Sequence, residues 1–227
     1  MHANLFKTVI ATLALLAAMS FISCNSKPQA NTTNTTVTEN CDSNLQISAN
    51  DKSEIEKLFR DMIYWSFNDT VHINLLPVLT DENDSIYIGF DFEELEITAQ
   101  ELKNTGFFSQ TFIDNYKRLI TELDRKIRNN EFEEWLVGDL PTFKFANDVD
   151  PFCNCQGIVP VDSMNFINED FENVEAEGIA KWIDILGKTH IYGLGKCKFE
   201  KEQEHWKISY MSGFDYDDGI KRDGEIE

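Results

Sequence analysis

The sequence predicts an α+β fold in which N-terminal helices pack on a curved antiparallel sheet. Two stretches within residues 50–129 carry apolar residues at three- and four-residue spacing, which is typical of amphipathic helices. Three stretches near the C-terminus have strand-like patterns and are joined by linkers short enough for hairpins. Helices followed by an antiparallel meander are the element order of the α+β class.

The first predicted helix covers about residues 50–67, with Asn50 or Asp51 as its N-cap. Its apolar stripe consists of Ile55, Leu58, Phe59, Met62, Ile63 and Phe67. Residues 68–83 contain Pro77 and several Asp and Asn residues, so we expect an ordered loop there. A short strand is predicted over residues 85–92.

Two more helices follow. Residues 98–101, Thr-Ala-Gln-Glu, form a capping-box pattern that predicts the start of a short helix ending at Gly106. The third helix is predicted over residues 109–129. Its continuous apolar face consists of Phe112, Tyr116, Leu119, Ile120, Leu123 and Ile127.

The character of the chain changes at the turn-forming residues 148–152. Strands are predicted over residues 174–186, 189–199 and 205–211. Gly193 and Gly195 predict strong curvature or the close approach of a helix. Trp206 is expected to face inward, against the apolar stripe of the third helix.

The N-terminal segment, residues 1–23, has the pattern of an export signal. Lys7 provides a positive n-region, and residues 8–22 form an apolar run too short to span a bilayer. The following sequence Phe21-Ile22-Ser23-Cys24 resembles the bacterial lipobox, although Phe21 replaces the usual Leu. The resemblance implies that Cys24 is acylated and becomes the new N-terminus. A plain secretory signal with a free Cys24 thiol is the alternative.

The remaining chain is predicted to contain a single domain. Residues 24–44 include a low-complexity stretch of Asn, Thr, Ser, Gln and Pro, which predicts a lipidated flexible tether. Residues 45–213 are of the usual size for one domain. Residues 214–227 are expected to form a solvated acidic C-terminal tail. Asp215 to Gly219 are rich in carboxylates but lack the spacing of a calcium-binding EF-hand loop.

The chain is strongly acidic, with a formal net charge of −20. Removal of the signal takes away Lys7 and no carboxylate, which makes the mature chain more negative still. Such a surface repels phosphodiesters and anionic headgroups, so nucleic acid is excluded as a partner. Membrane contact is expected through the N-terminal lipid alone. Solubility explains the charge most simply, and a cationic ligand or partner is the alternative.

If Cys24 is acylated, four cysteines remain in an exported protein, so disulfides are expected. Cys153 and Cys155 are so close in sequence that an internal bridge between them is disfavoured. The preferred pairing joins Cys197 to one of these two cysteines. Cys41 is expected to stay free or to bridge to the edge of the domain. The spacing does not match a zinc site.

Several of these features together resemble the nuclear-transport-factor-2-like superfamily. They are the helices, the entry Phe107-Phe108-Ser109-Gln110-Thr111-Phe112, the turn at residues 148–152 and the closing hairpin with Trp206-Lys207-Ile208. More narrowly, these features are similar to small bacterial lipoproteins of that superfamily that have no assigned activity. The resemblance, over about residues 51–211, implies a cone-shaped sheet around a cavity. Because members include isomerases, dehydratases and binding modules, it supports a fold more than a function.

A catalytic cavity would need a carboxylate and a His or Tyr facing inward near an apolar wall. The candidates on predicted strands are Asp184, His190, Tyr192 and Tyr210, none of which lies in a recognisable catalytic motif. No nucleophile elbow, phosphate-binding loop or zinc-protease motif occurs in the sequence. We therefore assign no catalytic residue, no cofactor and no metal ligand from the sequence.

The sequence leaves three functional hypotheses. The first is a non-enzymatic, membrane-anchored lipoprotein, facing the periplasm, whose domain binds a small molecule or a protein. The second is a cavity enzyme of the isomerase or hydrolase type. The third is an acidic interaction protein, such as an inhibitor or immunity factor. A pocket in which a carboxylate and a His converge favours the enzyme, whereas an interior filled with side chains favours an interaction protein.

Overall fold

The computed structural model describes residues 46–68, 73–157 and 160–225. The predicted signal, Cys24, the tether and Cys41 lie outside the described residues. The helices are α1 (Ala49–Ser66), α2 (Phe92–Asn104), α3 (Gln110–Arg128) and α4 (Tyr216–Gly219). The strands are β1 (Val78–Thr80), β2 (Tyr87–Phe90), β3 (Val161–Asp170), β4 (Asn173–Ile183), β5 (Thr189–Glu202) and β6 (His205–Met211). The predicted α+β class is confirmed.

Helix α1 begins one residue earlier than predicted and has a different N-cap. The Ser48 hydroxyl accepts a hydrogen bond from the Asp51 N–H, and the Asp51 carboxylate accepts one from the Ser48 N–H. This reciprocal capping box replaces the predicted cap at Asn50 or Asp51. The predicted stripe is buried at Ile55, Phe59, Met62 and Ile63. The pattern therefore located the packed face correctly, although the cap was wrong.

Helix α2 is longer than the sequence predicted. Its N-cap is Asp91, whose carboxylate accepts hydrogen bonds from Glu93 N–H and Glu94 N–H. Thr98 is therefore not a cap but a buried residue in the middle of the helix, where its hydroxyl donates to the Asn74 carbonyl. The strand before α2 is confirmed in shorter form as β2, which pairs with β1.

Helix α3 begins and ends as predicted, with Ser109 as N-cap and Asn129 as C-cap. Its apolar stripe meets a group of aromatic rings: Phe112 stacks on Phe108 at 4.4 Å and contacts Phe214 at 4.8 Å, measured between ring centroids. The Tyr116 hydroxyl donates to the Leu75 carbonyl at 3.1 Å, and burial raises the pKa of this phenol.

The main sheet is a four-stranded antiparallel meander in the order β3-β4-β5-β6. Strands β4, β5 and β6 correspond to the three predicted segments, but β4 ends at Ile183, and β5 extends to Glu202. Strand β3 was not predicted. Register irregularities interrupt all three pairings of this sheet.

The inner face of the sheet packs directly against α1. A Cβ atom at Gly178 would overlap the Phe59 ring, so the close approach of a helix occurs at this glycine. Gly195, predicted to mark such a site, has a φ of +89° and a hypothetical Cβ that would meet the Ser212 side chain. Ser212 begins a short 3-10 helix, Ser212–Phe214, so a close approach of a helix also occurs at Gly195. The contact with α1 lies on the neighbouring strand β4, at Gly178.

The C-terminal segment belongs to the domain. Phe214 is fully buried, Gly219 of α4 is buried, and Phe143 forms a β-bridge with Arg222. The prediction of a solvated tail is therefore wrong for the part that begins with Phe214 and includes α4, whereas residues 222–225 are exposed. Within α4, the Asp215 carboxylate accepts the Asp218 N–H, so it is a helix cap.

Trp206 is buried, as expected for an inward-facing residue, and its partners lie near the start of α1. Its indole N–H donates to Asp51 at 2.8 Å, and its ring contacts Phe171 at 5.6 Å and the Lys201 ammonium at 4.9 Å. The Ser48 and Lys201 side chains hold the pKa of the Asp51 carboxyl well below its usual range. Trp206 therefore fastens β6 to the N-terminus of α1.

Candidate functional site

The end of the β4–β5 hairpin projects beyond the strands on either side of it. Pairing of β3 with β4 stops at Ala180, and pairing of β6 with β5 stops at Cys197. Strands β4 and β5 continue to pair with each other up to Ile183 and Thr189. Residues 181–192 therefore form a two-stranded ribbon, closed by a turn at residues 184–188.

This ribbon is apolar where it is most exposed. Ile185 and Leu186 in the turn are 101% and 87% exposed. Ile183 and Ile191 are also largely exposed on one face of the ribbon, and Trp182 and Tyr192 are partly exposed on the other. A single exposed apolar residue needs no explanation, but a contiguous group of this kind marks a contact surface. We call these six residues the apolar tip.

Asp184 holds the turn of the apolar tip in shape. One carboxylate oxygen accepts the N–H groups of Leu186 and Lys188, each at 2.9 Å. The other oxygen lies 2.9 Å from His190 Nε2. The His190 contact and the Lys188 N–H lower the pKa of the Asp184 carboxyl. The turn is therefore organised by hydrogen bonds, and its apolar side chains stay in solvent instead of folding back on the domain.

His190 is fixed by its neighbours on the ribbon. The Trp182 indole stacks on its imidazole with centroids 5.3 Å apart and planes 11° apart. The nearby Tyr192 hydroxyl donates to the Asn154 carbonyl at 2.6 Å. The structure therefore brings together Asp184 and His190, two of the four catalytic candidates, but on a projecting ribbon and in structural hydrogen bonds.

Tyr210, the remaining candidate, lies elsewhere. Its hydroxyl donates to the Asp215 carboxylate at 2.8 Å. Burial, together with that carboxylate, raises the pKa of the Tyr210 phenol. The hydroxyl is therefore held protonated beside a helix cap, and it is not combined with Asp184 or His190.

Aromatic side chains dominate the interior of the described domain. The largest fully buried ones are Tyr116, Phe59, Phe90, Phe112, Phe143, Phe145, Phe199 and Phe214. Depressions of about 480 Å³ beside Tyr87 and Trp135 and about 520 Å³ beside Lys144 and Asp215 lie elsewhere on the domain. Asp184 and His190 line neither depression.

The cysteine pairing differs from the predicted one. Cys153 and Cys155 are joined to each other by a disulfide, and Cys197 is a buried free thiol. The predicted bridge from Cys197 to one of the other two is therefore wrong. Burial raises the pKa of the Cys197 thiol, which keeps it protonated and unreactive. Cys197, which was predicted to form a disulfide, is thus a small residue of the core.

Asp150 lies next to the disulfide loop. Its N–H donates to the Cys155 carbonyl, and its carboxylate accepts the Phe152 N–H at 2.8 Å. Burial raises the pKa of this carboxyl above its ordinary value.

Among the described residues, no group of three or more His, Cys, Asp or Glu side chains is arranged to hold a metal ion. In the same part of the chain, no helix has the length and apolarity needed to cross a bilayer.

Comparison of the chain with protein-family models, with curated proteins and with solved structures finds no match. The apolar tip is consequently characterised by its own geometry. One feature of the sequence indicates the apolar tip: the apolar residues Ile185 and Leu186 directly precede Gly187-Lys188, where turn residues are usually polar. The prediction of a strand up to residue 186 hides this feature.

Proposed function

We propose that the chain is an exported bacterial lipoprotein, attached to the membrane through Cys24 and facing the periplasm, whose domain works by binding instead of catalysis. The apolar tip is the binding element. The signal pattern and the lipobox resemblance support the location. The single observation that carries the binding proposal is the projecting ribbon, whose Ile185 and Leu186 are almost fully exposed yet held by the Asp184 hydrogen bonds.

The filled interior supports binding over catalysis. A general acid or base needs a site where a substrate can reach it and where burial adjusts its pKa. Asp184 and His190 are instead part of a turn, and lowering the pKa of Asp184 makes it a poorer base. An apolar cavity that would accept a substrate is replaced by packed rings such as Phe112 and Phe214.

A nuclear-transport-factor-2-like cone is our proposal for the finer fold. It is supported by the four-stranded antiparallel meander with register irregularities and by the packing of α1 on its inner face at Gly178. In this proposal the cone encloses side chains, and the functional surface is the end of the long hairpin.

Photo-crosslinking in cells tests the binding proposal. A photoreactive residue in place of Leu186 is expected to form an adduct with an envelope component, whereas the same residue in place of Leu140 is expected to form none. Leu140 is the matched control because it is also an exposed leucine, at 57%, and lies outside the ribbon. Equal or absent adducts at the two positions would contradict the proposal.

A further inference from the structure

We infer that the apolar tip inserts into the surface of a lipid bilayer. The inference rests on the proposed function, because it names the partner of the same ribbon. It adds a second, protein-based membrane contact to the lipid at Cys24, whereas the sequence predicted contact through that lipid alone.

The distribution of apolar groups around the ribbon favours lipid over a protein groove. Ile183 and Ile191 lie on one face, Trp182 lies on the other, and Ile185 and Leu186 close the end. A ribbon that lies flat on a protein surface buries only one of its faces. A bilayer encloses an inserted element on all sides, and apolar groups on both faces and at the end match that environment.

The polar groups are arranged in the order that insertion requires. Lys181 precedes the turn, and Lys188 is its last residue. Asp184 is the only carboxylate within residues 181–192, so this segment is locally cationic in a chain of net charge −20. Long cationic side chains can reach back to the headgroups while their neighbours are buried. Trp182 and Tyr192 are the residue types that favour the membrane interface.

The Asp184 carboxylate would be costly to insert if it were bare. Its two oxygens accept the Leu186 and Lys188 N–H groups and contact His190 Nε2. These contacts replace part of its hydration, because buried polar groups are tolerated when they are hydrogen-bonded.

The distance from Cys24 to the described domain allows both contacts at once. Gln46 forms a β-bridge with Asp170, the last residue of β3, which pairs with Asn173 at the end of β4 opposite the apolar tip. Strand β4 has 11 residues and is about 36 Å long. The 22 residue-to-residue steps from Cys24 to Gln46 can span at most about 70 Å, which exceeds the length of the strand. A lipid at Cys24 and an inserted tip can therefore share one membrane.

Vesicle binding tests the inference without relying on acylation. The protein is the mature chain, residues 24–227, with Cys24→Ser, and the vesicles contain phosphatidylethanolamine with a minority of phosphatidylglycerol. This chain retains every buried apolar residue of the described domain, from Ile47 to Phe214. We expect the chain to float with the vesicles. The double variant Ile185→Asp, Leu186→Asp should have a partition coefficient between vesicles and water that is lower by about tenfold or more. Leu140→Asp, an identical change at another exposed site, should bind as the parent does.

A fluorescent probe reports the depth of the tip. The Cys24→Ser chain also receives Cys41→Ser, so that both N-terminal thiols are removed. A polarity-sensitive dye is then attached at Ile185→Cys or, as a control, at Glu172→Cys in the turn at the other end of β4. Cys197 is buried and should not react. The dye at position 185 should shift to shorter wavelength with vesicles and be quenched by brominated lipids, whereas the dye at position 172 should do neither.

The outcomes separate the inference from the proposed function. Vesicle binding that the tip variants abolish supports insertion. No vesicle binding, together with a protein adduct at position 186 in cells, overturns insertion but leaves the binding function standing. A dimer of the parent chain that Leu186→Asp dissociates overturns insertion in favour of a second copy. The absence of both vesicle binding and crosslinks overturns both proposals.

Discussion

At the scale of single residues, Asp150 shows how burial acts on one charge. Burial raises the pKa of its carboxyl, which means that ionisation is less favourable in the folded protein than in the unfolded chain. Protonated Asp150 therefore favours the folded state. Its contribution to the free energy of unfolding is fully present below the pKa that Asp150 has in the unfolded chain, and it is lost as the pH rises through the pKa that Asp150 has in the folded protein. Near neutral pH the ionised carboxylate therefore destabilises the domain.

We predict that Asp150→Asn raises the melting temperature near neutral pH and that the gain disappears below about pH 3, where the parent carboxyl is protonated. The asparagine oxygen can still accept the Phe152 N–H. Circular dichroism at the two pH values measures both melting temperatures. A lower melting temperature of the variant at neutral pH would show that the carboxylate has a stabilising partner.

Asp81 is the matched control with the opposite sign. The N–H groups of Ser85 and Ile86 lower the pKa of its carboxyl to about 2, so its stabilising effect is present above the unfolded pKa and is lost as the pH falls. Asp81→Asn should therefore lower the melting temperature at neutral pH.

The cysteines show what sequence spacing cannot determine. Two cysteines separated by one residue were expected not to bridge, but Asn154 between them has a φ of 51°, a left-handed conformation that asparagine tolerates. This conformation accompanies the disulfide between Cys153 and Cys155. The sequence pattern does not reveal the backbone conformation of Asn154, so it does not predict this disulfide. Because Cys153 and Cys155 pair with each other, Cys197 remains a free thiol in the core.

At the scale of elements, the contact between β4 and α1 depends on a missing side chain. The Phe59 ring occupies the space that a Cβ atom at Gly178 would need. We predict that Gly178→Ala lowers the free energy of unfolding by about 1–3 kcal/mol, measured by urea denaturation, because the ring must shift within a packed core. Gly157→Ala is the control, since its added Cβ would have no neighbour within 4 Å.

A second substitution tests the cause of that loss. Phe59→Leu in the Gly178→Ala background removes the clashing ring, so it should cost less than the same change in the parent chain. Equal costs in the two backgrounds would mean that the glycine is required for another reason.

Elements with regular periodicity were predictable, and those with interrupted patterns were not. Helix α3 has a continuous stripe and a clear Ser109 cap, and its limits were correct. Strand β3 was missed because it is rich in Asn and Asp, which are depleted in strands, and because irregularities near Ser163 and Asn168 interrupt its alternation. The capping-box pattern at Thr98 predicts a helix start that is several residues too late, because the actual N-cap of α2 is Asp91.

The candidate site was predictable only in part for a related reason. Asp184, His190 and Tyr192 were identified as polar residues on strands, but their hydrogen bonds depend on where the β4–β5 turn begins. The predicted strand ran to residue 186, which placed Ile185 and Leu186 within a sheet. The actual turn at residues 184–188 places them at its exposed end.

At the scale of the whole molecule, the proposal combines a lipid at Cys24 with a binding domain. We predict that a fatty-acid analogue labels the parent chain in cells, and that Cys24→Ala abolishes both the label and membrane fractionation. Cys41→Ala is the matched control, because it removes another cysteine that follows the signal and should leave the label unchanged. A Cys24→Ala chain that is still labelled would contradict the anchor.

The central claim is that the apolar tip makes the functional contact, and hydrogen exchange of the full chain tests it most directly. Exchange is compared between isolated envelopes and the purified chain in solution. We predict that residues 181–192 exchange more slowly in envelopes, while residues around Leu140 exchange equally in both, because a contact partner shields the ribbon from solvent. Unchanged exchange in the ribbon, with slower exchange elsewhere on the domain, would contradict the claim.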